Sequence, residues 1–205
     1  MSDYFDQRAK DWDANPARVE RARVVAQAIR EKIMLTRNMS ACEYGCGTGL
    51  LSFALHQELG PITLADSSTG MLAVLGEKIA AGNVENMTPL LLDLATDPLP
   101  AQRFDLLYTL MTLHHIPVLD PILEHFHSLL NPAGTLCIAD LDKEDGSFHG
   151  PGFDGHNGFD RSKLAARLEQ IGFTNISSEI IYQVMREVDG TKVPFPLFLL
   201  VAQKK

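Results

Sequence analysis

The segment that constrains this chain most is ACEYGCGTGLLSFAL, Ala41 to Leu55. A strand-like apolar run stops at Gly45, Gly47 and Gly49, and a helical run begins with the next residue. Glycines at such a junction let the backbone turn sharply and let a ligand lie against main chain with no Cβ in the way. Taken alone, the triplet also suits a plain strand-to-helix turn. Its spacing narrows the choice. A dinucleotide fingerprint reads G-x-G-x-x-G, whereas Leu50 stands where that third glycine would be. The turn therefore looks built for a ligand that does not place a pyrophosphate on the helix N-terminus.

Around this turn, strands and helices alternate. SACEYG, ITLAD, MTPLLLDL, FDLLYTL and TLCIADL read as buried strands. The helices between them are LLSFALHQEL, TGMLAVLGEKIAAG and PVLDPILEHFHSLL. That order argues for a parallel sheet with right-handed crossovers. After the helix SKLAARLEQIG the pattern changes to two apolar runs around Asp189–Gly190, which predicts an antiparallel hairpin at the end of the sheet. The expected fold is α/β: doubly wound, mostly parallel, seven-stranded, with a C-terminal antiparallel hairpin. A polar helical arm is expected through residues 3–13, then a helix from Pro16 to about Leu35. With no linker or repeat, residues 1–205 read as one domain. It divides into an arm or lid (1–38), a ligand-binding core (39–141), and a substrate loop with the last helix and hairpin (142–205).

Two carboxylates give the ligand its character. Asp66 ends the second strand, with Ser67 beside it, where a carboxylate can accept hydrogen bonds from both hydroxyls of a ribose. Asp93 ends the third strand, where it could accept one from an exocyclic amine. Either alone would suit a helix cap. Three successive strand ends carrying suitable groups at one edge of the sheet point to a ligand instead.

These residues resemble the class I S-adenosylmethionine-dependent methyltransferases, in particular the small bacterial type related to ubiquinone and menaquinone biosynthesis. EYGCGTG matches the family's E/D-x-G-x-G-x-G motif, with Glu43 at the acidic position. ADSSTGML, DLATDPLP, RFDLLYTLMTLHHI and LLNPAGTLCIAD match its later motifs, although Ala133 stands where a second glycine is usual. The resemblance implies S-adenosylmethionine as cofactor and a Rossmann-like methyltransferase fold. It places Asp66 at the ribose, Met71, Asp93 and Leu94 at the adenine, and Thr109 beneath the methionine moiety. The leading YFDQRAKDWD resembles a segment that folds over the cofactor. If helical, it sets Tyr4, Arg8 and Trp12 on one face, as a lid or as an anchor.

Methyl transfer from a sulfonium is an in-line displacement that demands approach and alignment, and a base only if the acceptor must lose a proton. His115, after the fourth strand, is the candidate base, and His114 beside it reads as a packed turn residue or substrate contact. Asp140 leads into a long glycine-rich loop carrying His149, Asp154, His156 and Asn157, further candidates for the substrate side. In its bland reading this loop is an insertion whose Asp160 caps the next helix. Its His/Asp spacing matches no ligand pattern, so no metal is expected.

Composition bounds the partners. Lys and Arg number 18 against 26 Asp and Glu, a net charge of −8 with pI near 5.3. Such a surface repels phosphate backbones, which disfavours nucleic acid and leaves a small-molecule acceptor. The polar N-terminus is not a secretory signal, and no run approaches the roughly 20 apolar residues of a membrane span. Cys42, Cys46 and Cys137 lack metal-ligand spacing and suit a reducing, cytoplasmic setting. Two other classes remain open: a non-catalytic methyltransferase-like module, and a nicotinamide-dependent oxidoreductase, which the glycine spacing disfavours.

Overall fold

A computed structural model describes residues 2–205. The seven strands are β1 (Ala41–Tyr44), β2 (Ile62–Asp66), β3 (Met87–Leu91), β4 (Phe104–Leu110), β5 (Leu130–Leu141), β6 (Phe173–Val188) and β7 (Thr191–Lys204). They lie in the order β3-β2-β1-β4-β5-β7-β6, with β1 to β5 mutually parallel and β7 antiparallel to both neighbours. The strand order reverses between β1 and β4, the point at which open α/β sheets bind ligands.

Helices cover both faces, which is why the central strands read as apolar runs rather than alternating ones. On one face α2 (Pro16–Lys32), α3 (Leu50–Leu55) and α4 (Thr69–Gly82) pack against Leu64, Leu106 and Tyr108. On the other, α5 (Asp120–Leu129) and α6 (Arg161–Ile171) pack against Leu107, Leu136 and Phe198. Adjacent residues such as Leu199 and Leu200 in β7 serve opposite cores, as the period of two requires. Burying each such leucine stabilises by about 1.5–3 kcal/mol.

Local chemistry sets the ends. The Ser68 hydroxyl accepts from the Met71 N–H to cap α4, and Asp160 accepts from Ser162 and Lys163 to cap α6 as expected. Asp189 and Gly190 both have positive φ, 48° and 76°, the two-residue turn that matches strand twist in a hairpin. Ala133 sits at φ 61°, so the side chain at the usual glycine position is held in the left-handed region at a cost of about 1–2 kcal/mol.

Three expectations need correction. The helix after the glycine turn ends at Leu55 instead of reaching Gly60, and the helix from Pro16 ends at Lys32. The arm is not one helix. A short turn α1 (Ser2–Asp6) gives way to a 3-10 segment, Ala9–Ala14. Arg8 lies over the Tyr4 ring at 3.7 Å, but Trp12 takes Arg18 at 3.7 Å instead, so the single face breaks. Among the described residues no helix is long and apolar enough to cross a membrane.

Candidate active site

At the switch point the C-terminal ends of β1, β2 and β4 open into a cavity of about 270 Å³. Glu43, Gly45, Gly47, Asp66, Ser67, Met71, Asp93 and His115 line it, together with Trp12 and Phe5 from the arm. Gly45 (φ 69°) turns the chain so that its N–H donates to the Ala65 carbonyl at 2.8 Å. Gly47 then donates its N–H to Asp66 Oδ2 at 2.7 Å, while Asp66 Oδ1 accepts from Ser68 at 2.9 Å. Burial raises the Asp66 carboxyl, and these backbone N–H groups oppose that rise. The carboxylate therefore shapes the glycine turn itself. Asp93 closes a turn of its own by accepting from Ala95 at 2.9 Å.

The arm docks through acids. Asp6 accepts from the Ser68 hydroxyl and the Gly70 N–H, at 2.5 and 2.7 Å, at the start of α4. Asp13 pairs with Lys78 at 2.6 Å and accepts from the Thr48 hydroxyl. Phe5 meets the His115 ring edge-on at 5.3 Å. Anchor and roof are thus the same segment. Met111, at φ 54°, closes the mouth of β4, a left-handed residue of the kind that concentrates at functional sites.

The family model for methyltransferase domains matches residues 35–187. The chain belongs to the methyltransferase domain family. An uncharacterized methyltransferase of Schizosaccharomyces pombe is 33% identical over 119 residues, covering 55% of this chain and 42% of its own. A ubiquinone biosynthesis O-methyltransferase of Coxiella burnetii is 26% identical over 143 residues, covering 68% and 60%. The chain thus spans less than two thirds of the length of these relatives. Among solved structures, an S-adenosylmethionine-dependent methyltransferase of Aquifex aeolicus superposes with a TM-score of 0.73 at 20% identity, covering 98% of each chain. By family and fold this is a class I methyltransferase domain.

The residues that line the cavity fit S-adenosylmethionine on their own terms. A ribose diol, an ammonium, a sulfonium and a carboxylate need acceptors, anions and one cation, and the lining supplies Asp66, Asp93 and two arginines. Arg18 and Arg21, on α2, were not foreseen from sequence. Arg18 is spent on the arm, donating to the Trp12 carbonyl at 3.1 Å. Arg21 is part-buried, and its Nε is buried with no hydrogen-bond partner among the described residues. Burial lowers its pKa to about 10, which leaves it cationic at neutral pH.

Several expected residues lie elsewhere. Gly49 is absent from the lining; a Cβ there would stand 2.7 Å from Leu75, so its role is helix packing. Leu94 is buried and donates its N–H to the Tyr44 hydroxyl, leaving Ala95 to line the cavity. Thr109 is buried in β4, where the alternation of side chains presents Leu110 to the cavity instead. His114 is buried, with Nδ1 2.6 Å from Asp140 Oδ1, and neither residue lines the cavity. His156 pins the long loop down: its N–H donates to the His114 carbonyl and its Nε2 bonds the Ile116 carbonyl at 2.9 Å. His149 lies against both His114 and His115, with ring centroids 5.1 Å apart in each case.

Glu43 carries a pH signature. It is 2% exposed, accepts from the Ser52 N–H at 3.1 Å and from the Ser52 hydroxyl, and burial pushes its carboxyl up to about 8. The folded state then keeps a proton that the unfolded chain releases above about 4.5. Stability should fall as pH rises from about 4.5 to about 8. Glu43→Gln should flatten that part of the Tm–pH profile in thermal unfolding. Parallel profiles for the two proteins would show that Glu43 is ionised in the folded state.

Proposed function

We propose that the chain methylates a small-molecule acceptor by in-line displacement, with the acceptor entering beside His115. S-adenosylmethionine supplies an electrophilic methyl on a sulfonium. The observation that carries the reading is that one cavity collects Asp66 and Asp93 from successive strand ends, Arg21 from α2 and His115 from the end of β4. Asp66 would accept from the ribose hydroxyls, Asp93 and Met71 would flank the adenine, and Arg21 would receive the carboxylate. Phe5 and Trp12 keep water from the reacting atoms when the arm is docked, which strengthens every charge interaction inside.

His115 is assigned to the acceptor as a positioning side chain. Burial, with His114 and His149 adding to it, holds its imidazole at about 3, far below the range that suits a general base at neutral pH. Phenolic and thiol acceptors, which ionise without strong assistance, are the first classes to try; the name of the Coxiella relative points the same way. The three free cysteines are buried and suit the cytosol. To test the function, the protein is incubated with methyl-labelled S-adenosylmethionine and a fractionated small-molecule extract. Label should move to a small product. Label that stays on the cofactor in every fraction, or moves only to protein, would overturn the small-molecule reading.

A further inference from the structure

We propose that His114, His115 and His149 form a site for a divalent transition-metal ion of the zinc type, with Asp140 orienting His114 from behind. One nitrogen from each imidazole lies within 4.8 Å of the other two. Zinc–imidazole bonds of about 2.0–2.1 Å would draw these nitrogens closer. His114 comes from the turn after β4 and His149 from the loop after β5, so only the folded chain assembles the site.

The second observation is a pair of orphaned nitrogens. His114 is 1% exposed, and its Nε2 is buried without a hydrogen-bond partner among the described residues; the buried Nε2 of His149 is in the same condition. A buried nitrogen left unmet in this way is unfavourable. The other nitrogen of His114 explains what Nε2 is for. Nδ1 is held 2.6 Å from Asp140, whose carboxylate also accepts from the Leu113 and Leu141 N–H groups at 3.0 and 2.8 Å. A carboxylate fixed by backbone and bonded to the far side of an imidazole is the arrangement that orients metal-ligating histidines. Arg186, 4.8 Å over the adjacent Phe148 ring, brings a charge of the same sign as the ion, and the Asp140 carboxylate offsets it.

Chemistry selects the ion. Three imidazoles with no carboxylate in direct contact suit zinc, nickel or copper and not magnesium or calcium. Three protein ligands also leave a fourth position open, and His115 borders the cavity, so that position would meet whatever enters there. The ion site does not depend on methyl transfer, and its test contains no adenosyl ligand.

Protein without an affinity tag is stripped with a chelator and titrated with Co²⁺, then Zn²⁺, while the visible spectrum is recorded. One equivalent of Co²⁺ should give the d–d bands of a low-coordinate site, and Zn²⁺ should abolish them. His149→Gln should remove the bands, and Asp140→Asn should weaken binding by roughly 10- to 100-fold. His56→Gln, outside the cluster, should change neither. Should His149→Gln fail to fold, the stoichiometry and bands of the unaltered protein decide the matter. Binding of Co²⁺ that is unsaturable, lacks the bands, or is unchanged in a folded His149→Gln variant overturns the site.

Discussion

Gly45→Ala should lower stability by about 2–5 kcal/mol and abolish binding of S-adenosylhomocysteine. The left-handed backbone at Gly45 costs an alanine about 1–2 kcal/mol. The added Cβ would also fall 2.2 Å from Thr112 Cγ2 and 2.8 Å from Thr112 Cβ. Thr112 is short and β-branched, so it has no flexible end to swing away, and its hydroxyl is held by the Leu110 and Gly45 carbonyls. Overpacking of this kind costs a further 1–3 kcal/mol or so. Each kcal/mol lowers Tm by about 2–4 °C in a chain of this size. The double variant Gly45→Ala/Thr112→Ala isolates the steric part and should recover a good share of the lost stability. A single variant as stable as the parent would show that the turn relaxes freely and that Gly45 is dispensable.

Arg21→Met should weaken S-adenosylhomocysteine binding by roughly 10- to 150-fold, the loss expected for a charged hydrogen bond of about 1.5–3 kcal/mol. Methionine keeps the apolar stem and removes only the guanidinium. The prediction comes with an internal control. 5′-Methylthioadenosine has the ribose, adenine and sulfur but no carboxylate, so its affinity should be unaffected. Calorimetry on both ligands separates the cases. Equal losses for both would make Arg21 a structural residue of α2 and leave the carboxylate without a partner.

The architecture was readable because each element announces itself by period and punctuation. The glycine turn, the buried strand runs and Asp189–Gly190 fix the sheet and its hairpin, and the structure reproduces that order. Cavity-lining groups at strand ends, Asp66 and Asp93, were readable for the same reason, since a strand's last residues have only one edge to occupy. Inside strands and turns the reading failed. Thr109 and Leu110 are adjacent in sequence but face opposite ways, and nothing in the composition of FDLLYTL reveals which one meets the cavity. Leu94 and Ala95 pose the same problem after β3. Arg21 was invisible because α2 precedes every motif, and only tertiary packing brings it to the cavity. The arm misled because helical spacing aligns Tyr4, Arg8 and Trp12, while the tertiary partner Arg18 competes for the indole. The histidine cluster escaped a search for metal spacing because its members lie on two separate turns, and Asp140 joins them only through the parallel pairing of β4 with β5.

The cavity is proposed to hold an adenosyl ligand and not a dinucleotide. Isothermal titration with S-adenosylhomocysteine, repeated in the presence of excess NAD, tests it most directly. The expected result is saturable binding at one ligand per chain, with an affinity that NAD leaves unchanged. Folded protein that gives no heat with either S-adenosylhomocysteine or S-adenosylmethionine, but binds NAD, would contradict it.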